Sequence, residues 1–140
     1  MTILLSAITL AGPIDPPPTA VEAVTGRWTS IDDNTHKPRS IVEITLQHGA
    51  LHGRIIRLFR DPGEDQDPIC TKCTDHRKDQ KVVGMTIFDD LRYDDGEWEG
   101  TILDPESGKF YDCKIWPEKG HLMVRGYLLF FYRTQQWVRK

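Results

Sequence analysis

From Gly26 to the C-terminus, apolar and polar residues alternate in short runs that are separated by turn residues. This alternation is typical of β-strands that have one face in a core and the other in solvent, so it predicts an all-β domain. No run of ten or more residues has a convincing helical period. The pattern predicts eight strands: Gly26–Ile31, Ile41–Gln47, Leu51–Phe59, Val82–Phe88, Trp98–Leu103, Phe110–Trp116, His121–Leu128 and Arg133–Arg139.

Most connections between these strands are short, which favours a meander of neighbouring antiparallel strands. An open sheet of this size would leave unpaired edges, whereas closure removes them. We therefore predict an eight-stranded antiparallel up-and-down barrel, whose interior is just wide enough for side chains or one small ligand. Adjacent Ile55 and Ile56 break the alternation and predict a β-bulge, and Asp61–Gln80 is the one long irregular connection.

The sequence Asp104-Pro105-Glu106-Ser107-Gly108 has the residues of a tight turn. The Asp104 side chain can cap such a turn, and Gly108 can supply the positive φ before the next strand begins. We favour this structural interpretation. In the alternative, Asp104 and Lys109 contact a polar ligand at the barrel rim.

The composition and the absence of certain motifs argue against several classes of function. The chain has 140 residues, 39% hydrophobic and 28% charged, which suits one globular domain with a modest core. The net charge is −3 and the basic residues are dispersed, so the chain lacks the positive patch of a nucleic-acid binder. The sequence contains no nucleophile elbow, phosphate loop or dinucleotide fingerprint.

The N-terminal part differs in composition from the rest. Residues 1–12 are mostly apolar and end in small residues, as in the apolar region and cleavage zone of a secretory signal, although the basic start is missing. This segment is too short to span a bilayer. Residues 13–24 are proline-rich and predict an extended linker, so the barrel domain is expected at residues 25–140. We expect a periplasmic or secreted protein.

Gly26-Arg27-Trp28 opens the first predicted strand. A Gly-x-Trp at this position resembles the calycin and lipocalin group, in which the tryptophan packs across the closed end of the barrel and an arginine from a late strand covers it. A guanidinium on an indole face is stabilising by about 0.5–2 kcal/mol. Arg125 and Arg133 are the candidates for that arginine, and the role is structural.

Several segments together resemble one bacterial family, domain of unknown function 2147, whose members are small exported proteins with a lipocalin-like barrel. The resemblance runs from Gly26 to the C-terminus and implies the fold and export, but it brings no known activity. Apolar Leu128–Tyr132 departs from the glycine-containing loop common in this family. The segments that carry the resemblance are Val83–Ile87, Trp98–Gly100, Ile102–Tyr111, Val124–Tyr127 and Arg133–Trp137, with the Cys-x-x-Cys before Val83 and the Tyr-x-Cys-Lys-x-Trp at Tyr111–Trp116.

Three interpretations compete for Cys70, Cys73 and Cys113. We favour a structural disulfide, either from Cys70 or Cys73 to Cys113, which closes a loop of about 40 residues, or between Cys70 and Cys73. A zinc site of Cys70, Cys73, His76 and Cys113 has suitable ligands. A redox centre fits less well, because the surrounding carboxylates disfavour a thiolate.

The expected function is non-catalytic: the barrel holds a small, largely apolar ligand or contacts an envelope partner, and the protein is a monomer. The candidate ligand-binding residues are Ile55, Met85, Ile87, Met123 and Tyr127. One alternative is an enzyme with a site at the barrel mouth, built from the titratable residues Asp104, Arg125, Tyr111 and His52. Another is a partner-binding protein, which an exposed Leu128–Tyr132 patch would favour.

Overall fold

The computed structural model describes residues 15–140, so the predicted signal segment at residues 1–12 lies outside the described part of the chain. One short helix precedes eight strands. In chain order the elements are α1 (Pro18–Glu22), β1 (Gly26–Ile31), β2 (Pro38–Gln47), β3 (Ala50–Leu58), β4 (Thr86–Asp94), β5 (Glu97–Asp104), β6 (Lys109–Glu118), β7 (His121–Leu128) and β8 (Phe131–Arg139).

The eight strands form a closed antiparallel barrel in which each strand pairs with the next and β8 returns to β1. The predicted up-and-down barrel is therefore confirmed. The predicted bulge is present, because Ile41 lies opposite Arg57 while the next residue, Val42, lies opposite Ile55. Ile56 is the extra residue of β3.

The fourth strand begins later than predicted. β4 starts at Thr86, whereas Val82 lies in the preceding connection, where its amide donates to the carbonyl oxygen of Pro68. Val82 is buried even though it is not in a strand. Its apolar character therefore reflects burial under a loop, which the alternation rule cannot distinguish from burial in a sheet.

The two ends of the barrel are built differently. The tight turns at residues 48–49, 95–96 and 119–120 lie at one end together with α1, and we call this the closed end. Three tryptophans fill the interior towards it: Trp28, Trp98 and Trp137 are all at most 3% exposed. The connections at residues 32–37, 59–85, 105–108 and 129–130 lie at the opposite, open end.

The closed end is capped by the residues before β1, which corrects the predicted linker. Pro18 begins α1, where a proline is tolerated because the first turn of a helix needs no amide donor. Val24 is fully buried, and its carbonyl oxygen accepts the indole N–H of Trp28 at 2.9 Å. Residues 18–24 are thus part of the barrel domain rather than an extended spacer.

The arginine that covers Trp28 is Arg139, so the expectation of Arg125 or Arg133 is wrong. The Arg139 guanidinium carbon lies 4.1 Å from the centroid of the Trp28 ring, and its Nη1 donates to the carbonyl oxygen of Thr25 at 2.9 Å. The reason is the β1–β8 register, which places Arg139 directly opposite Trp28.

Candidate ligand cavity

A cavity of about 690 Å³ lies inside the barrel at the open end. Its volume falls within the 300–1,000 Å³ that is usual for small-molecule sites. The connections at the open end contribute to its mouth, and strand residues form its wall. The apolar part of the wall includes Val42, Ile55, Ile87, Ile102, Val124 and Trp137.

Strand alternation decides which predicted ligand-binding residues reach this cavity. Ile55 and Ile87 lie in its wall, whereas Met85 is buried outside the wall. Met123 and Tyr127 do not line this cavity. On β7 it is Val124 and Gly126 that line the cavity, so the odd-numbered neighbours project from the outer face.

Tyr127 instead borders a shallow concavity of about 550 Å³ on the outer surface of the barrel, together with Glu99 and Lys114. Its wall includes side chains of β5, β6 and β7 that face away from the interior. We therefore place the candidate ligand site in the barrel interior and not in this outer concavity.

Several polar residues of the wall were missed by the sequence analysis. Ser30 and Ser40 are buried, and their hydroxyl oxygens lie 2.6 Å apart. Gln135 also lines the cavity, and its Oε1 accepts the indole N–H of Trp137 at 2.9 Å. Ser30 and Gln135 each stand two residues from a core tryptophan, and this period-two spacing is the signal that could have identified them.

Charged residues surround the mouth and are engaged with one another. Arg133 donates from Nη2 and Nε to the carboxylate of Asp33 at 2.6 and 3.0 Å, and this interaction raises the pKa of Arg133. The Asp32 carboxylate accepts the backbone N–H groups of Asn34 and Thr35, both at 2.8 Å, which lowers the pKa of Asp32. These bonds shape the connection between β1 and β2.

The connection of residues 59–85, which we call the mouth loop, lies against the β5–β6 turn. Cys70 and Cys73 form a disulfide with a Cα–Cα distance of 5.5 Å, and both residues are buried. The Sγ atom of Cys70 lies 3.3 Å from the carbonyl oxygen of Pro105. A Cβ atom added to Gly108 would lie 2.0 Å from the carbonyl oxygen of Lys72, so the two backbones touch here.

The β5–β6 turn has the predicted internal geometry. The Asp104 carboxylate accepts the amide of Glu106 at 3.0 Å and the hydroxyl of Ser107 at 2.8 Å, and Gly108 has φ +71°. Asp104 also reaches the cavity wall. The turn therefore borders the cavity mouth and packs against the loop that the disulfide closes.

A second contact fixes the far part of the mouth loop. Arg77 donates to both carboxylate oxygens of Asp75, which holds the pKa of Asp75 well below its usual range. The same guanidinium donates from Nη1 to the carbonyl oxygen of Thr86 at 2.7 Å, at the start of β4. Both contacts attach the loop to the barrel, while Pro68, Thr71 and other residues of the loop line the cavity.

Cys113 does not take part in the disulfide. It lies in the middle of β6, opposite Gly100 of β5 and Gly126 of β7, about 13 Å along the strand from the β5–β6 turn against which Cys70 packs. The predicted long bridge is therefore not formed. Cys113 is a free, buried thiol whose pKa is raised to about 12, mainly by burial and secondly by Asp90.

The same placement separates the four residues of the zinc alternative, Cys70, Cys73, His76 and Cys113. Two are joined in the disulfide, and Cys113 is on a distant part of β6. Within residues 15–140, no three His, Cys, Asp or Glu side chains are arranged to hold a metal ion. The disulfide is also buried, so it lacks the accessible sulfur of a redox centre.

The four residues of the enzyme alternative are also divided between faces. Asp104 and Tyr111 line the cavity. Arg125 lies outside, with its guanidinium carbon 4.9 Å from the Trp116 ring centroid and its Nε donating to the Thr134 hydroxyl at 2.8 Å. His52 alternates with two buried residues of β3, so it faces away from the interior.

The connection between β7 and β8 presents an apolar surface beside the cavity mouth. We call residues 128–132 the apolar tip. Leu129 is 97% exposed, Phe130 94% and Phe131 76%. Leu128, Phe131 and Tyr132 also belong to the cavity wall, so the tip is continuous with the mouth. Large apolar side chains exposed side by side commonly mark a contact surface.

A closed eight-stranded barrel with a tryptophan-filled end and an open, ligand-sized cavity is a lipocalin-like protein. Residues 26–139 match the family model described as "Uncharacterized protein conserved in bacteria (DUF2147)", and this chain belongs to that family. No curated protein matches the chain. No helix among residues 15–140 has the length and apolar character needed to cross a bilayer.

Solved structures similar to this chain include one that matches most of its length. It is protein HP1028 of Helicobacter pylori, whose description assigns it to the lipocalin family. The TM-score is 0.67 with 15% sequence identity, and the match covers 83% of this chain and 82% of that one. At this identity the similarity establishes the fold alone.

Proposed function

We propose that this protein binds a small, largely apolar ligand in the barrel cavity. The observation that carries the proposal is the cavity itself: about 690 Å³ of space, in which about half of the lining residues are Val, Ile, Leu or aromatic and most of the others are polar or charged. A barrel of this size could also be filled completely by its own side chains. The interior is filled at the closed end but open in the other half, and this supports a binding role.

The disulfide supports the view that the protein functions in an oxidising compartment. Disulfides persist in the periplasm and outside the cell, whereas cytosolic thiols are kept reduced. Cys70 and Cys73 close only a short loop, yet both are buried and lie against the β5–β6 turn. We therefore propose that the protein acts in the periplasm or after secretion.

Gly126 offers a direct test of the cavity. It lines the cavity, its φ is unexceptional, and a Cβ added to it would have the Cβ of Tyr111, at 3.8 Å, as its nearest neighbour. Gly126→Leu should thus place a side chain in the cavity with ordinary contact at its Cβ atom, and it replaces a glycine that weakens the strand. Met123→Leu, on the outer face of the same strand, is the matched control.

The assay is titration with the neutral, apolar dye N-phenyl-1-naphthylamine, whose fluorescence rises in an apolar site. We expect saturable binding to the wild type and to Met123→Leu, and at least a tenfold loss of affinity in Gly126→Leu. Thermal unfolding should show that Gly126→Leu is as stable as the wild type. Equal dye binding by all three proteins, or no saturable binding to the wild type, would count against the proposal.

The apolar tip supports a second candidate function, contact with an envelope protein. Leu129 and Phe130 are almost fully exposed, which is unusual for adjacent large apolar residues. A photo-cross-linking amino acid at position 130 should give a discrete adduct in host cells, and one at Glu118 near the closed end should not. The same adduct pattern from both positions would argue against a specific contact.

A further inference from the structure

The charges at the cavity mouth restrict the kind of ligand that can enter. Three arginines belong to the wall, and each already has a carboxylate partner. Their N–O distances are 3.3 Å for Arg39–Glu106, 3.6 Å for Arg60–Glu64 and 2.6 Å for Arg133–Asp33. An incoming carboxylate would therefore have to compete with a resident acid for each of these guanidinium groups.

The carboxylates of the wall outnumber its arginines. Besides Glu64 and Glu106, the wall contains Asp32 and Asp104, and both of these are held by hydrogen bonds within their own turns. Asp32, Asp33 and Asp104 all raise the pKa of Arg133, so these three carboxylates lie near its guanidinium. The mouth therefore carries an excess of negative charge, which repels an organic anion.

The other hydrogen-bonding side chains of the wall include neutral ones. Ser30 and Ser40 are two hydroxyls in mutual contact, Gln135 has its Oε1 engaged by Trp137, which leaves its NH₂ group as a donor, and Tyr111 contributes a phenol. Hydroxyl and amide groups can pair with a hydroxyl or carbonyl of a ligand. They cannot compensate the desolvation of a buried carboxylate as a cation would.

We propose that the cavity selects neutral amphiphiles, with an apolar body and a hydroxyl or carbonyl group, over organic anions that have the same body. This inference rests on the proposed ligand-binding function and specifies its ligand class. The apolar wall accommodates the body, the hydroxyl and amide groups of the wall pair with the polar group, and the acidic mouth disfavours a carboxylate.

Three ligands with the same alkyl chain test the proposed ligand class: 1-dodecanol, dodecanoic acid and dodecylamine. The affinity of each is measured by displacement of the naphthylamine dye at pH 8. We expect the alcohol to bind at least tenfold more tightly than the acid, and the affinities for the alcohol and the amine to differ by less than tenfold. Equal or tighter binding of the acid would overturn the inference while leaving the binding function intact. A tenfold preference for the amine would also overturn it, because the ligand class would then be cationic.

Asp33→Asn provides a gain-of-function variant. It removes the charge that neutralises Arg133 but leaves a side chain of the same size, so the guanidinium becomes available to a ligand carboxylate. We expect the affinity for dodecanoic acid to rise at least fivefold and that for dodecanol to stay within twofold. Asp94→Asn, at the closed end, changes the net charge equally and should change neither affinity.

An unchanged affinity for the acid in Asp33→Asn would refute the role assigned to the charged mouth. Failure of dye, alcohol and acid alike to bind the wild type would instead refute the binding function itself. The two failures are thus distinguishable in one set of titrations.

Discussion

Gly108 should be among the positions least tolerant of a single added methyl group. It has φ +71°, a conformation that costs a residue with a Cβ about 1–2 kcal/mol. A Cβ atom there would also lie 2.0 Å from the carbonyl oxygen of Lys72, 2.4 Å from its carbonyl carbon and 2.9 Å from the amide nitrogen of Cys73. These are backbone atoms inside the disulfide loop, so no rotation of a side chain can relieve the overlap.

The expected cost of Gly108→Ala combines these two effects. Overpacking in a site that must shift typically costs about 1–3 kcal/mol, so the sum is about 2–5 kcal/mol. Gly120→Ala isolates the first effect, because Gly120 has φ +80° and a methyl group added there would have no atom within 4 Å. We expect that control to lose only about 1–2 kcal/mol.

Urea unfolding followed by tryptophan fluorescence measures both losses. Limited trypsin digestion then reports on the mouth loop, which carries exposed Lys72 and Lys78. Gly108→Ala should be cut faster within residues 59–85 than either the wild type or Gly120→Ala, because the loop must move away from the turn. If the two variants lose the same stability and are cut at the same rate, the close contact between the mouth loop and Gly108 does not hold the loop in place.

Three further predictions concern the cysteines and the closed end. The double change Cys70→Ser and Cys73→Ser should keep the barrel, by circular dichroism, and lower the free energy of unfolding by about 2 kcal/mol, the chain-entropy value for so short a loop. Arg139→Ala should cost about 2 kcal/mol in urea unfolding, through the lost cation–π contact with Trp28 and the lost hydrogen bonds to the N-terminal carbonyl groups; a neutral effect would contradict the capping role. Cys113, whose pKa is raised to about 12, should not react with Ellman's reagent at pH 8 in the native protein but should give one thiol per chain in denaturant. The stability that this buried thiol contributes is present below about pH 9 and lost as the pH rises towards 12, because only the unfolded state ionises it over that range.

The features that follow from local sequence were predictable. Alternation indicates strands, and Asp95 and Gly96, both with positive φ, form a hairpin turn after β4, as an Asp-Gly pair favours. The Asp104 turn is likewise determined by neighbours within five residues. These features need no information about the rest of the chain, which is why the sequence is sufficient for them.

Features that depend on strand register were not predictable in the same way. Arg139 meets Trp28 only because β8 pairs with β1 in one particular register, across 111 positions of sequence. On β7 both alternating sets contain apolar residues, so hydrophobicity alone did not identify the inner face. The position of Arg125 was the available clue, because an unpaired charge is disfavoured inside a barrel and the residues at 123 and 127 share its face.

The disulfide illustrates how position can matter more than chain entropy. A bridge from Cys70 to Cys113 would stabilise by about 4 kcal/mol in the chain-entropy model, against about 2 kcal/mol for the short bridge that is formed. The short bridge instead restricts the backbone of Lys72 to the conformation that packs against Gly108. This contact lies beside residues of the cavity wall. We therefore expect loss of this bridge to change binding of the naphthylamine dye and proteolysis of the mouth loop more than it changes the stability of the barrel.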